Sequence, residues 1–291
     1  MNGILLIDKP TGWTSFDVIA KLRGILATRK LGHSGTLDPM ATGVLPVFVG
    51  QAAKAVDMQP NHDKAYAALV RFGLCTDTGD ITGTVLETSS TIITLEQVNA
   101  ALPAFAGEQL QTPPMYSAVK INGVPLYKLA RQGLTVERKA RPVTFYTLEC
   151  TGPAGPNEFW LNVRCSKGTY VRTLVEDLGK ALGCPACLAG LRRTQAGVFG
   201  LEHCHTLEQV QAARDGAGLD ALLLSVETVF EHLPALAVDE AAQSRLLNGA
   251  PVYRVGQPDG RYRLHTAQGF LGLGQVEKGT LTVEKLLIER A

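Results

Sequence analysis

A histidine and an aspartate lie five residues apart in one glycine-rich segment of this sequence, at His33 and Asp38. Three glycines and a proline accompany them within residues 32–43. This composition predicts an irregular loop, because glycine permits unusual backbone angles and lets a ligand approach the main chain closely. A carboxylate in such a loop can attack a sugar carbon or stabilise positive charge that develops on it. The alternative is a structural turn in which Asp38 caps local backbone groups.

The six cysteines include one pattern that could bind a metal or act as a redox pair. Cys184 and Cys187 form a C-x-x-C, and His203 and His205 flank Cys204. This cluster could form a zinc site or a redox pair. The His-Cys-His spacing is not a standard ligand arrangement, so free reduced thiols are favoured and no metal is expected.

Charge is distributed unevenly along the chain, although the formal net charge is only +1. Acidic residues collect after residue 200, and the cations concentrate in two stretches: Lys21, Arg23, Arg29, Lys30 and His33, then Lys120, Lys128, Arg131, Arg138, Lys139 and Arg141. A protein with one basic face for nucleic acid would have this pattern. Two ordinary solvated surfaces would produce it as well.

Helix and strand signals on both sides of the glycine-rich loop indicate which elements must position it. A buried strand is predicted at 3–8, then a helix capped by Thr14 or Ser15, and a second apolar strand at 44–49. Further strands are predicted at 65–72, 143–149 and 158–166, and helices after Thr94, from Thr169 and after Thr206. Strands without regular β-α-β alternation favour an α+β fold, with helices flanking a mixed or antiparallel central sheet.

The pattern changes near Pro234. One helix is predicted at 239–248, followed by short strands at 252–255, 262–266, 270–276 and 281–288. This succession is typical of a small β-barrel, so the predicted domains are residues 1–235 and 236–291. No apolar stretch is long enough to span a membrane, and a soluble, cytoplasmic protein is expected.

Several motifs, in order along the chain, resemble those of the TruB family, the bacterial tRNA pseudouridine-55 synthases. They are L-I-D-K-P-T-G at 6–12, the glycine-rich loop at 32–43, K-A-Y at 64–66, T-D-T-G-D at 76–80, P-P-M-Y-S-A-V-K at 113–120, S-K-G-T-Y-V-R at 166–172 and L-R-R at 191–193. The resemblance implies a pseudouridine synthase fold with an RNA-clasping insertion at about 113–141. It also implies a small PUA-like RNA-binding domain at 236–291.

The resemblance implies that uridine-55 in the TΨC loop of tRNA is isomerised to pseudouridine. The C1′–N1 glycosidic bond is broken, the uracil turns, and it rejoins the sugar through C5. This isomerisation needs no cofactor, metal or energy source. The implied partner is the T-arm and elbow of tRNA, bound by a monomer that requires neither a membrane nor another protein.

The resemblance also assigns site residues, position by position. Asp38 is implied to be the catalytic carboxylate, with Arg172 as its positive partner and Tyr66 as a stacking residue that can take a proton. Without the resemblance, Arg172 would be expected on the surface. Binding of the flipped nucleotide is implied for His33, Tyr66, Tyr170 and Leu191. Contacts with the RNA backbone are implied for Lys120, Lys128, Arg131, Arg138, Lys139 and Arg141.

Two other functions stay open at this point. One is an RNA-folding chaperone that refolds the tRNA elbow, a role that the same chain could combine with catalysis. The other is the RNA-guided relative that works inside a ribonucleoprotein, against which the insertion at 113–141 argues. The order of chemical steps at Asp38 is also open between attack on the sugar, attack on the base and elimination to a glycal.

Overall fold

The computed structural model describes residues 1–216 and 218–288. Its α-helices are α1 (Ser15–Ile25), α2 (Leu95–Ala101), α3 (Leu126–Ala130), α4 (Val171–Ala181), α5 (Leu207–Asp215) and α6 (Glu240–Leu247). Short 3₁₀ helices lie at Gly50–Met58, Leu102–Phe105, Leu201–His203, Leu219–Leu222 and Val226–Phe230. Among the described residues, no helix has the length and apolar character that crossing a membrane requires.

The strands are numbered in chain order. The first nine are β1 (Gly3–Lys9), β2 (Leu31–His33), β3 (Thr42–Val49), β4 (Lys64–Phe72), β5 (Leu74–Thr76), β6 (Val85–Thr88), β7 (Gly107–Gln111), β8 (Lys120–Ile121) and β9 (Val124–Pro125). The others are β10 (Arg141–Gly155), β11 (Glu158–Cys165), β12 (Ala186–Ala196), β13 (Phe199–Gly200), β14 (Leu223–Leu224), β15 (Ala235–Ala237), β16 (Val252–Tyr253), β17 (Gly260–Thr266), β18 (Gly269–Glu277) and β19 (Thr280–Leu286).

The chain forms two compact units. The first comprises Met1–Asp38, Val44–Asn61 and Gly197–Ala291, and the second comprises Pro39–Gly43 and His62–Ala196. The boundary predicted at residue 235 falls inside the first unit, and the division into domains at that point stays a prediction.

The first unit contains the strands β14, β1 and β3, adjacent in that order, with β2 paired to β3. Residues Ile4–Ile7 of β1 are fully buried, as the apolar run at 3–8 predicts. Leu5 and Ile7 share a hydrophobic core with residues of α1, β3 and α5, which include Val18, Leu22, Val47 and Val210. The apolar face of α1 is thereby packed on the sheet, which fixes the start of the helix relative to β1.

Helix α1 begins where its capping residues predict. The Thr14 hydroxyl accepts a hydrogen bond from the Asp17 backbone N–H at 3.0 Å, and the Asp17 carboxylate accepts one from the Thr14 backbone N–H at 2.8 Å. This reciprocal capping box selects Thr14 over Ser15 as the cap. The boxes predicted at Thr94 and Thr206 are confirmed in the same way.

The second unit contains a sheet in the order β12-β4-β11-β10-β7, in which all neighbours are antiparallel. The first two residues of β3, Thr42 and Gly43, pair in parallel with Arg192 and Arg193 of β12. The mixed sheet of the predicted α+β fold is therefore confirmed. Gly43 has a φ of +100°, and a Cβ at this position would lie 2.2 Å from the Arg193 carbonyl oxygen, so only glycine allows the strands to approach here.

Two strands of the second unit differ from the sequence prediction. Strand β12 was not predicted, although it carries the L-R-R motif and lies between β3 and β4. Strand β10 runs over Arg141–Gly155 instead of 143–149, because its register shifts let it stay paired with β11 beyond Cys150.

The segment after Pro234 forms a five-stranded sheet in the order β15-β17-β18-β19-β16, together with α6. Its hydrophobic core includes Leu246, Leu264, Leu271 and Leu281, all of which are buried. The helix predicted at 239–248 is α6, which Asp239 caps. The small β module is also confirmed, with strand ends that differ by a few residues. Within the first unit, this sheet is tied to the N-terminus by a 2.6 Å hydrogen bond from Asn2 Nδ2 to the Leu287 carbonyl.

Candidate active site

The glycine-rich loop is irregular from residue 34 to residue 41, and Asp38 lies in it half-buried. Ser15, the buried first residue of α1, holds the adjacent residue Leu37 at both of its backbone groups. The Ser15 hydroxyl accepts a hydrogen bond from the Leu37 N–H at 2.9 Å and donates one to the Leu37 carbonyl at 3.4 Å. The backbone immediately before Asp38 is therefore fixed by the start of a packed helix.

The other end of the loop is fixed to the sheet of the first unit. His33 ends β2 opposite Val47 of β3, and the Ser34 N–H donates to the Pro46 carbonyl at 3.0 Å. Gln59 donates from Nε2 to the Ser34 hydroxyl at 2.8 Å. His33 thus lies half-buried at a rigid strand end, which suits a side chain that must contact a substrate in a defined place.

Lys9 is a positioning residue to which sequence analysis assigned no role. Its side chain is fully buried, and its ammonium donates to the Pro10 carbonyl at 2.8 Å and to the Trp13 carbonyl at 2.6 Å. These bonds close the turn between β1 and α1, and a buried ammonium needs such partners. The D-K-P-x-G motif was the available signal, since it places this lysine directly before a turn.

In the second unit, Tyr66 and Leu191 are brought to one face of the sheet. Tyr66 of β4 pairs with Arg193 of β12, and Ala68 pairs with Leu191, so all four side chains point to the same side. Tyr66 and Leu191 keep 8% and 9% of their surface exposed, whereas Arg193 is fully buried. The two residues predicted to line a base pocket are therefore neighbours, and Arg193 is a buried cation that had no predicted role.

Tyr170 and Arg172 lie at the start of α4. Gln111 holds the Tyr170 backbone on both sides, accepting from its N–H at 2.7 Å and donating to its carbonyl at 3.0 Å. The buried Arg172 donates from its guanidinium to the Thr78 carbonyl at 2.8 Å and to the Tyr116 carbonyl at 2.7 Å. The surface position expected of an isolated arginine is thus wrong. Three of the motifs in the sequence meet at this guanidinium.

Lys64 is a second residue of this unit that had no predicted role. Its ammonium donates to the His62 carbonyl at 2.6 Å. Burial lowers the pKa of Lys64 to about 8, and the positive charge of Arg193 contributes to the shift. At neutral pH the ammonium is therefore less strongly favoured than in an exposed lysine.

The insertion at 113–141 contains the hairpin of β8 and β9, and its turn is Asn122–Gly123 as predicted. Five of the six predicted RNA-binding cations are exposed, namely Lys120, Lys128, Arg131, Lys139 and Arg141. Arg138 differs from them: it is half-buried and donates to the Pro113 carbonyl at 3.1 Å. Arg138 therefore links the two ends of the insertion.

The cysteine pattern has the properties of structural thiols. Cys184 and Cys187 are buried and reduced, and burial raises the pKa of Cys187 to about 11, which keeps it a thiol. Within residues 1–216 and 218–288, no group of three His, Cys, Asp or Glu side chains could hold a metal ion.

Comparison with solved structures defines the class of protein. The crystal structure of a Cbf5-Nop10-Gar1 complex matches 99% of this chain and 85% of its own matched chain, with a TM-score of 0.74 and 27% identity. A structure of an H/ACA RNP bound to a substrate RNA matches with a TM-score of 0.72 and 24% identity, which supports the fold alone. The fold is that of the pseudouridine synthases.

The family follows from sequence comparison. The model of the TruB family pseudouridylate synthase N-terminal domain matches residues 23–171, and that of the tRNA pseudouridylate synthase B C-terminal domain matches residues 172–231. A tRNA pseudouridine synthase B of Stutzerimonas stutzeri strain A1501 is 46% identical over 293 residues, covering 99% of this chain and 96% of the relative. One of Dechloromonas aromatica strain RCB is 42% identical over 291 residues, covering 100% and 97%. The chain belongs to the TruB family of pseudouridylate synthases.

Proposed function

We propose that this protein isomerises uridine-55 in the TΨC loop of tRNA to pseudouridine, with Asp38 as the catalytic carboxylate. The observation that carries the proposal is identity of 46% over 99% of the chain to a relative named tRNA pseudouridine synthase B. The fixed loop supports it, since Ser15 anchors the backbone of the residue before Asp38. A carboxylate held in this way is preorganised to react with the sugar or the base.

Arg172 is proposed to supply the positive charge that keeps Asp38 ionised. A partly buried carboxylate stays charged when a cation accompanies it. Support comes from the guanidinium itself, which is buried and held by the Thr78 and Tyr116 carbonyls. Asp38 belongs to the first unit and Arg172 to the second, and their pairing stays a prediction.

The uracil is proposed to be flipped out of the RNA onto Tyr66. An extruded base needs an aromatic surface and an apolar wall. Tyr66 and Leu191 lie side by side on one sheet face and each keeps a small exposed surface, which suits this role. Tyr170 would complete the wall, and His33 would occupy the place that the flipped nucleotide leaves.

The insertion is proposed to clasp the T-arm through phosphate contacts. Its five exposed cations lie within residues 120–141, and such contacts provide affinity and register without sequence information. The partner is the T-arm and elbow of tRNA, and we infer a cytoplasmic monomer that requires no metal or cofactor.

The proposal is tested with a tRNA transcript labelled with [5-³H]uridine. Formation of the new C–C bond expels the C5 hydrogen, so tritium release reports the isomerisation directly. Release by the purified protein, in the presence of a chelator, is expected to reach one tritium per tRNA. A transcript with cytidine in place of uridine-55 should give none. Equal release from both transcripts would show that another position is modified.

A further inference from the structure

Lys64 lies close in sequence to Tyr66, and the proposed mechanism assigns it no role. It is the first residue of β4, two positions before Tyr66, and alternate residues of a strand point to the same face. The side chain therefore lies on the face that carries Tyr66 and Leu191. One of its three N–H donors is bound by the His62 carbonyl at 2.6 Å, so the ammonium is oriented and retains further donors.

Two other cations, Arg193 and Lys167, act electrostatically on Lys64. Burial lowers the pKa of Lys64 most, Arg193 on β12 lowers it further, Cys165 and Asp63 raise it, and Lys167 after β11 has the smallest lowering effect. Arg193 is fully buried, and Lys167 is exposed. A phosphate that arrives beside this partly desolvated ammonium brings an opposite charge, which stabilises the charged form of the lysine.

We propose that Lys64 binds the phosphodiester next to the flipped uridine, with Lys167 and Arg193 adding positive charge to this phosphate subsite. The inference rests on the proposed function, because it takes Tyr66 as the platform for the uracil. A nucleotide that rotates out of a stack brings its flanking phosphate with it. A lysine ammonium is a suitable point charge for a phosphate oxygen.

The function of the phosphate subsite is to position the target nucleotide for the reaction. A phosphate held at Lys64 fixes the backbone on one side of the uridine while Tyr66 holds its base, so the sugar between them has little freedom. Loss of the contact should therefore lower the rate at saturating RNA as well as the affinity. If Lys64 had only a structural role, the effect of substituting it would not depend on the charge of the phosphate.

The test is a double-substitution cycle between the lysine and the phosphate. The protein variants are Lys64→Met, Lys64→Arg and, as a matched control, Lys180→Met, which removes an exposed lysine that pairs with Asp177 at 2.9 Å on α4. The RNAs are T-arm stem-loops with an ordinary linkage, or a neutral methylphosphonate, on the 5′ or the 3′ side of the target uridine. Pseudouridine is quantified by chromatography after nuclease digestion, to give kcat and KM.

On the ordinary RNA, Lys64→Met should lower kcat/KM by about 10-fold to 100-fold, the usual effect of losing a charged hydrogen bond. A methylphosphonate at one of the two linkages should lower the wild-type value by a similar factor. On that methylphosphonate RNA, Lys64→Met and wild type should have the same kcat/KM. Lys64→Arg should stay within about threefold of wild type on the ordinary RNA, and Lys180→Met should match wild type on every RNA.

Independent, multiplying losses at both linkages would overturn the subsite, as would wild-type activity of Lys64→Met. Equal loss in Lys64→Arg and Lys64→Met would also overturn it, because the positive charge would then be irrelevant. Failure of the proposed function has a different signature, since the wild-type protein would then form no pseudouridine in the ordinary stem-loop.

Discussion

Arg172 is the residue whose removal most directly probes the charge environment of the proposed catalytic carboxylate. We expect Arg172→Ala to lower kcat. We also expect the loss of activity at acidic pH to begin about one pH unit or more higher than in wild type, because a carboxylate that loses a positive neighbour binds its proton more tightly. The measurement is tritium release under single-turnover conditions from about pH 5 to about pH 9, because the pH dependence of the rate reports the pKa values of essential acids and bases.

Arg172→Lys is the matched variant, because it keeps the charge and loses the two-carbonyl geometry of the guanidinium. Arg172→Lys should lose activity at nearly the same acidic pH as wild type, even if its rate is lower. An unchanged rate and profile in Arg172→Ala would contradict the proposed pairing with Asp38.

Lys64 gives a prediction about stability and pH. The folded protein releases the Lys64 proton near pH 8, and the unfolded chain near the ordinary value of 10.5. Between these values the unfolded chain binds more protons, so the contribution of Lys64 to the free energy of unfolding rises with pH, by at most about 1.4 kcal/mol per pH unit. Lys64→Met should therefore be most stabilising, relative to wild type, below about pH 8.

The check is urea unfolding of wild type and Lys64→Met at several pH values through this window. The difference between the two free energies of unfolding should shrink as the pH rises from about 8 to 10. A difference that stays constant with pH would contradict the low pKa of the folded lysine.

At the scale of elements, the start of α1 positions the loop that carries Asp38. Ser15→Ala removes both hydrogen bonds between the Ser15 hydroxyl and the Leu37 backbone, so the Leu37 N–H loses the hydroxyl as its acceptor. The expected cost is about 1–3 kcal/mol of stability. We also expect kcat to fall more than KM rises, since the loop loses its fixed geometry.

Thr206→Ala is the matched control for Ser15→Ala. It removes the cap of α5 in the same unit and should cost about 1 kcal/mol without lowering kcat. Urea unfolding and tritium release on the same preparations measure both effects. Wild-type kcat in a destabilised Ser15→Ala protein would show that α1 does not position the loop.

The elements that could be predicted are those with local signals. Thr14, Thr94 and Thr206 each have a capping partner three residues later, and all three helices begin there. Strand β12 lacks such a signal, because the bulge around Gly190 breaks its alternation. Its place between β3 and β4 depends on the close approach at Gly43, a long-range contact that sequence periodicity does not contain.

Motifs supplied the candidate site residues, whose roles stay predictions, and gave no role to the residues that support them. The irregular loop around Asp38 was predicted from its glycines, and Tyr66 and Leu191 lie on one face of the sheet as diagonal neighbours. Lys9 and Arg193 are fully buried charged residues, and composition places such residues on the surface. Only their hydrogen-bonded or strand-paired surroundings, which require the folded chain, show that they belong inside.

At the scale of the whole molecule, the segment after Pro234 is proposed to add affinity for tRNA. Its own hydrophobic core and its sheet are complete within residues 235–288. Removing residues 236–291 should weaken tRNA binding by roughly tenfold or more, equivalent to about 1.4 kcal/mol, and should slow saturated turnover much less.

The truncated protein is compared with the full chain by filter binding and by tritium release at saturating tRNA, after circular dichroism has confirmed its fold. The Asn2–Leu287 hydrogen bond is lost on truncation. Asn2→Ala removes that bond together with the one that Asn2 Oδ1 accepts from the Ala52 N–H at 2.7 Å, so it sets an upper limit on what the lost bond contributes. A well-folded truncated protein with no turnover at saturation would contradict the assignment of this segment to RNA binding.

The most direct measurement compares wild type with Asp38→Asn for tritium release from [5-³H]uridine tRNA and for tRNA affinity, on the same preparations. Asparagine keeps the size of the side chain and removes its charge. Release should fall by at least about a thousandfold, as for other essential groups. The Kd should stay within about threefold, and any tRNA-refolding activity should persist. Substantial release by Asp38→Asn, or an equal loss of release and binding, would contradict a catalytic role for Asp38.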